Sequence, residues 1–178
     1  LLASVAQEEA RSVSENQKWQ IRKDFEKGLI WGGNNTYGYK IVNKKMVLVP
    51  EQAEIVQRIF RLYIVGLGFQ KISKLLNDEG IPAMYAKRWN KQSLQQIIAN
   101  INYTGDLLLQ KTYQENYLTK KTKINKGQLE QFFVENDHEA IITREEYYAA
   151  LEIRRKRAEY FKLYKFKVHA YPLTGFVR

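Results

Sequence analysis

The sequence predicts a mostly helical chain with a small amount of strand: a long N-terminal helix, then a helix-turn-helix, winged-helix-like domain with short hairpins. Three observations predict it. Glu8 to Lys27 contains neither Gly nor Pro and is rich in helix formers. Behind Pro50, the residues Val56, Ile59, Phe60 and Tyr63 recur at i, i+3, i+4, i+7, the spacing of one helical face. Behind Asn90, the residues Leu94, Ile97, Ile98 and Ile101 form a second such face.

The first helix should end at Gly28. Its apolar residues, Val13, Trp19, Ile21 and Phe25, form no continuous stripe, which fits a helix bridging two bodies better than one sunk in a core. Gly28 to Tyr39 interleaves Gly and Asn with aromatics and reads as an extended linker, because those residues supply backbone angles that helices do not use. Tyr39 to Val49 alternates around Asn43-Lys44-Lys45 as a hairpin. Pro50 then opens a helix, with Glu51 and Glu54 near the positive end of its dipole, and Gly66 and Gly68 close it. Gln70 to Asp78 is a second helix, burying Ile72, Leu75 and Leu76 before the stop at Gly80-Ile81-Pro82. Two helices joined through a glycine turn suit a helix-turn-helix and equally suit a structural helical hairpin.

The third helix is expected from the Asn90 cap to about Ile101. Opposite its apolar stripe lie Gln92, Gln96 and Ala99, with Ser93 and Gln95 at the flanks and Lys91 at the entrance. Amides stand here where surface helices usually carry charge. An amide can pair bidentately with an adenine edge, and a small Ala can meet a thymine methyl, so this helix is the candidate major-groove reader. Lys87, Arg88 and Lys91 would position it on phosphates. A plain polar surface is the alternative, since glutamine is also a good helix former.

Further along, Asp106 to Thr112 and Gln131 to Glu135 read as strands. Lys111, Lys120, Lys121, Lys123 and Lys126 lie on or between them, with Tyr113 and Tyr117, as a basic arm or a solvated loop. Thr143-Arg144-Glu145-Glu146 is a capping box opening a last helix that carries Arg154-Arg155-Lys156-Arg157, suited either to the helix dipole or to phosphate. Asp137-His138-Glu139 is the one compact group of acid, base or ligand residues, and a structural histidine bonded to backbone is the expectation there.

Composition narrows the partners. Lys+Arg 29 against Asp+Glu 19 gives a net charge of +10 in 178 residues, favouring polyanions over small neutral ligands. An acidic membrane surface or an acidic protein would suit the same charge. No apolar run approaches the roughly 18 residues of a membrane helix, no signal peptide is read, and the absence of cysteine leaves no disulfide or thiolate zinc site in these residues. A cytoplasmic location, with no membrane and no small-molecule partner, is the expectation. Neither a Ser/His/Asp arrangement nor a phosphate-cradling glycine loop is present, so no enzyme chemistry is read from these residues.

One ordered string goes further. Gly38-Tyr39-Lys40-Ile41-Val42 is followed by Val49-Pro50-Glu51-Gln52-Ala53-Glu54-Ile55-Val56, then Leu76-Asn77-Asp78-Glu79-Gly80-Ile81-Pro82, Trp89 and Asn102-Tyr103-Thr104-Gly105. This resembles the recombinase domain of the large serine recombinases, the serine integrases and transposases of the resolvase/invertase superfamily. The resemblance runs over essentially the whole chain. It implies that 1–27 is the long helix leaving a catalytic domain, 28–39 a linker, 40–162 the DNA-binding domain and 163–178 the approach to a zinc ribbon. It also implies an enzyme as the parent protein, in which a serine outside these residues attacks the phosphodiester and forms a phosphoserine link. Further implications are zinc in the ribbon rather than in this chain, dimers on DNA and tetramers in synapsis.

In that family the linker follows the minor groove, which brings Trp31, Asn34, Asn35, Thr36, Tyr37 and Tyr39 into the candidate DNA-contact set; an ordinary interdomain loop with buried aromatics is the alternative. The full set adds Arg88, Lys91, Gln92, Ser93, Gln95, Gln96, Ala99, Lys111, Lys120, Lys121 and Lys123. Asn16 stands where the family pattern often has Arg, which weakens any phosphate contact from the first helix. The expected function is recognition of one half of an attachment site in recombination of a mobile element. A helix-turn-helix transcriptional regulator, or a protein-interaction module of a mobile element, is the alternative.

Overall fold

The computed structural model describes residues 2–31, 36–84, 86–114 and 121–168. Their elements run α1 (Leu2–Glu26), β1 (Tyr39–Val42), β2 (Lys45–Leu48), α2 (Pro50–Ile64), α3 (Phe69–Asp78), α4 (Lys91–Ile98), a 3-10 turn (Ile101–Thr104), β3 (Leu107–Leu109), β4 (Thr112–Gln114), β5 (Thr122–Ile124), β6 (Phe132–Val134) and α5 (Arg144–Val168). The mostly helical class with short hairpins is as expected. Three separate antiparallel pairs make up the strand content: β1 with β2, β3 with β6, and β4 with β5.

The chain forms two compact units, each built from two stretches of sequence: 1–56 with 101–141, and 57–100 with 142–178. In the first unit, Tyr37, Tyr39, Met46, Val56, Tyr103, Leu107 and Ile141 are buried. The β1–β2 turn places Asn43 and Lys44 at φ of 49° and 62°, the left-handed pair that a two-residue hairpin needs to match strand twist. Asn102-Tyr103-Thr104-Gly105 is the knot of this unit. Tyr103 donates its hydroxyl to the Tyr37 carbonyl at 2.9 Å, Ile141 N–H bonds the Tyr103 carbonyl at 2.9 Å, and Asp137 N–H bonds the Gly105 carbonyl at 2.9 Å. Gly105 has φ of 85°, and a Cβ there would lie 2.8 Å from the His138 carbonyl oxygen, so only glycine fits. His138 sits beneath with its Nε2 at 2.7 Å from the Asn102 carbonyl, the backbone-bonded structural histidine expected.

The expected strand from Asp106 to Thr112 is broken in two. Gln110 takes φ of 58°, so β3 pairs with β6 while β4 turns away to pair with β5. Asn125 fixes that departure: its side chain donates to the carbonyls of Gln110 and Leu129 at 2.9 and 2.8 Å and accepts from Gly127 and Leu129 N–H, both at 3.1 Å.

The second unit is helical. Ile59, Phe60, Tyr63, Ile72, Leu76, Leu94 and Ile98 are all essentially inaccessible, so the stripes read from α2, α3 and α4 are buried faces of this unit. α5 opens at the predicted capping box, with Glu146 N–H bonding the Thr143 hydroxyl at 3.2 Å and Glu146 Oε2 accepting from Thr143 N–H at 3.0 Å.

Candidate nucleic-acid interface

α4 is placed by three restraints within the second unit. Asn77 of α3 clasps the connection ahead of it: its Nδ2 donates to the Trp89 carbonyl at 2.9 Å and its Oδ1 accepts from Trp89 N–H at 2.8 Å. The buried Trp89 ring donates its indole N–H to the Ile81 carbonyl at 3.0 Å. Next, Asn90 and Ser93 form a reciprocal capping box that satisfies the opening turn. Last, Leu94, Ile97 and Ile98 are buried, and the Tyr147 hydroxyl of α5 bonds the Ala99 carbonyl at 3.3 Å. This anchoring leaves Lys91, Gln92, Gln96 and Ala99 exposed, with Gln92 and Gln96 one turn apart on the same face.

The helix is shorter than the sequence suggested. It stops at Ile98, with Ala99 as its C-cap, and Ile101 opens a separate 3-10 turn. The physical reason lies in the caps: Tyr147 takes the Ala99 carbonyl, and Asn100 N–H folds back to the Ile97 carbonyl at 3.1 Å. Ser93 gives its hydroxyl to the cap, donating to the Asn90 carbonyl at 2.8 Å, so it fixes the reader rather than extending it. Gln95 is half-buried and turns into a groove of about 1110 Å³ beside α4, lined also by Lys71, Lys91, Arg154, Tyr160 and Phe161. Lys87 and Arg88 are exposed just ahead of the cap.

The four cations of α5 divide by environment. Arg155 is held by Glu152 at 2.7 Å and Glu159 at 2.9 Å, and these carboxylates keep its guanidinium well above the usual range. Lys156 lies 3.7 Å from Glu152. Arg157 donates to the carbonyls of Gly66 and Leu67 at 2.6 and 3.0 Å and lies over the Tyr63 ring, so it caps the end of α2. Arg154 and Arg157 both line the groove with Lys71 and Lys91. Lys71 was not singled out in the sequence; an isolated lysine in a first turn carries no signal until the fold sets it beside α4.

The linker candidates fare differently. Tyr37 and Tyr39 are buried at 8% and 2% exposure, with the Tyr39 hydroxyl donating to the Glu139 carbonyl at 2.7 Å, so they pack the first unit and offer no contact surface. Burial also raises the pKa of both phenols. The alternative of buried aromatics holds for these two. Thr36 is half-buried. Trp31 is 43% exposed, yet its indole N–H is given to the Asp24 carboxylate. Asn34, Asn35 and Lys120 lie outside the described residues. Lys123 is exposed on β5 and Lys121 is exposed just ahead of it. Lys111 is instead packed in the first unit, donating to Asn102 Oδ1 at 3.2 Å, with burial lowering its pKa.

Among the described residues, no group of His, Asp and Glu could hold a metal ion, and no helix is long and apolar enough to cross a membrane.

Comparison with known proteins gives a consistent result. The profile of a family described as Recombinase matches residues 50–157. A Bacillus subtilis (strain 168) protein named "Putative DNA recombinase" is 26% identical over 187 aligned positions, covering 94% of this chain and 37% of that protein. The chain therefore spans well under half the length of that curated relative. Two solved structures share the fold. One, described as a crystal structure of an LSR–DNA complex, has a TM-score of 0.58 at 19% identity, covering 80% of this chain and 38% of the other. The second comes from work on the sequence requirements of the Listeria innocua prophage attP site; its TM-score is 0.54 at 20% identity, covering 79% of this chain and 51% of the other.

Proposed function

The chain belongs to the Recombinase family, and from that membership we propose that it is a DNA-binding segment of a site-specific serine recombinase, reading one half of a recombination site through α4. The observation that carries this is the outer face of α4. Gln92, Gln96 and Ala99 are exposed on a helix whose opposite face is fully buried and whose first turn is closed by a capping box. Such a helix costs little to preorganise, and its amides have the donor and acceptor pair that matches an adenine edge in the major groove. Lys87, Arg88, Lys91, Lys71 and Arg154 flank it as cations, suited to phosphate oxygens and to setting orientation rather than sequence. The exposed Lys121 and Lys123, at and just ahead of β5, add charge at the first unit.

The rest of the reaction belongs to the same proposal for the whole protein: a serine nucleophile, a zinc ribbon, dimers on DNA and tetramers in synapsis. The described residues serve binding.

The test is a titration of this chain, and of a Gln92→Ala/Gln96→Ala variant, against the end sequence of its parent element and a scrambled duplex at two salt concentrations. Preference for the element end, lost in the variant while salt dependence persists, supports the assignment. Equal, salt-driven binding of every duplex by the unsubstituted chain would overturn it.

A further inference from the structure

α1 has 25 residues, so it is about 37 Å long at 1.5 Å per residue. From Ser12 to Gln20 its side chains are exposed except Ser14, which is half-buried; Val13 and Trp19 are 55% and 61% accessible. Its last two turns hold it to the rest of the first unit. Phe25 meets Phe132 of β6 with ring centroids 6.0 Å apart. Asp24, only 5% exposed, receives three side-chain donors: Gln20 Nε2 at 3.1 Å on Oδ1, and the Trp31 indole N–H and Lys44 Nζ, the latter at 2.7 Å, on Oδ2. Lys44 also lies 4.4 Å over the Trp31 ring, and its carbonyl accepts Ile30 N–H at 2.9 Å. One carboxylate thus ties the end of the helix to the linker behind it and to the β1–β2 turn.

We propose that Asp24 is the positioning residue that fixes the direction of α1 relative to the β1–β2 hairpin. The geometry gives it leverage, since from Ser12 to Gln20 the side chains of the helix are exposed apart from Ser14. A pivot of ~10° at Asp24 would carry the Leu2 end through about 6 Å at the helical rise. The buried carboxylate is anionic, and Lys44 and then Trp31 hold its pKa below the ordinary value. Losing it leaves the indole N–H and the ammonium without their acceptor and frees the turn from the helix. In the recombinase reading, α1 is the helix that leaves a catalytic domain, so Asp24 sets the direction in which that helix leaves the β1–β2 hairpin. That consequence rests on the proposed function; the positioning itself does not.

The chain has no cysteine, so paired labels are simple to place. Spin labels at Gln17→Cys and Lys40→Cys, both exposed sites on α1 and β1, report the angle between helix and hairpin by pulsed dipolar spectroscopy in the absence of DNA. The expected result is one narrow distance peak for the parent chain, lost to a broad distribution in Asp24→Ala. Lys44→Met should broaden it as well, and because Lys44 is about half-exposed that variant keeps its fold. Far-UV circular dichroism confirms the helices in each variant. The exposed pair Lys23 and Glu26 is the control, and Lys23→Ala should leave the peak unchanged. An unchanged narrow peak in a folded Asp24→Ala or Lys44→Met variant, or a broad peak in the parent chain, would overturn the proposal. Since no DNA is present, failure here is separate from failure of the DNA-binding reading.

Discussion

Arg154 and Arg157 stand one turn apart on α5 and should behave as opposites when removed. Arg157 serves the fold. α2 ends at Ile64, and the Gly66 and Leu67 carbonyls beyond it accept the Arg157 guanidinium at 2.6 and 3.0 Å, while Tyr63 supplies a ring beneath it at 4.7 Å. A hydrogen bond to a charged group contributes about 1.5–3 kcal/mol when buried, and a partly exposed cation over a ring about 0.5–1 kcal/mol. Arg157 is half-exposed and one of its two bonds is at the surface, so the sum is discounted to roughly 2 kcal/mol for Arg157→Ala. Arg157→Lys should recover about half of that, because a single ammonium cannot span both carbonyls as the planar fork does. Urea unfolding followed by circular dichroism reads this as a lower midpoint at unchanged slope. Arg154→Ala should leave the midpoint within about 0.5 kcal/mol of the parent chain and lower the salt slope of DNA binding by about 1. If Arg157→Ala left the midpoint in place and lowered the salt slope instead, the capping assignment would be wrong and Arg157 would be a phosphate contact.

Three further outcomes follow from the same structure. Asn90→Ala removes the cap of an eight-residue helix; it should cost about 1 kcal/mol of stability and weaken duplex binding about five-fold by fraying the turn that holds Lys91 and Gln92, measured by unfolding and by titration. Asn125→Ala strands two carbonyls and two N–H groups at the departure of β4 from β3; a loss of about 1–3 kcal/mol and faster proteolysis between Ile124 and Gln131 are expected. Asp24 has a folded pKa below its ordinary value of 3.8, so its contribution is fully present above that value and is lost as pH falls through the lower folded value. The label distance between Gln17→Cys and Lys40→Cys should therefore hold from neutral pH to about pH 5 and broaden only below about pH 4.

Local chemistry was legible and long-range pairing was not. Pro50 with its apolar stripe, Asn90 as a cap and the Thr143 capping box each specify an element through neighbours three or four residues away, and all three stand in the structure. The overrun of α4 to Ile101 has a long-range cause, because the periodic apolar residue continues while the Tyr147 hydroxyl, arriving from α5, helps end the helix. Tyr37 and Tyr39 illustrate the same limit at the site. Aromatics between glycines look alike whether they face a groove or a core, and it is the return of Tyr103 and Glu139 from far along the chain that buries them. Arg154 to Arg157 read as one basic run, yet Glu152, Glu159 and the end of α2 claim two of the four firmly. The candidate reader face was legible because it depends only on helical spacing within α4.

Replacing adenine by 7-deazaadenine at single positions of the element end tests most directly whether α4 reads bases from the major groove. The substitution removes the N7 acceptor of the adenine edge and leaves base pairing and the phosphates in place. If α4 is the reader, the parent chain loses about 1–3 kcal/mol of binding at one or two positions, while the Gln92→Ala/Gln96→Ala variant loses nothing further at those positions. Equal losses in the parent chain and the variant, or no loss at any adenine, would contradict it.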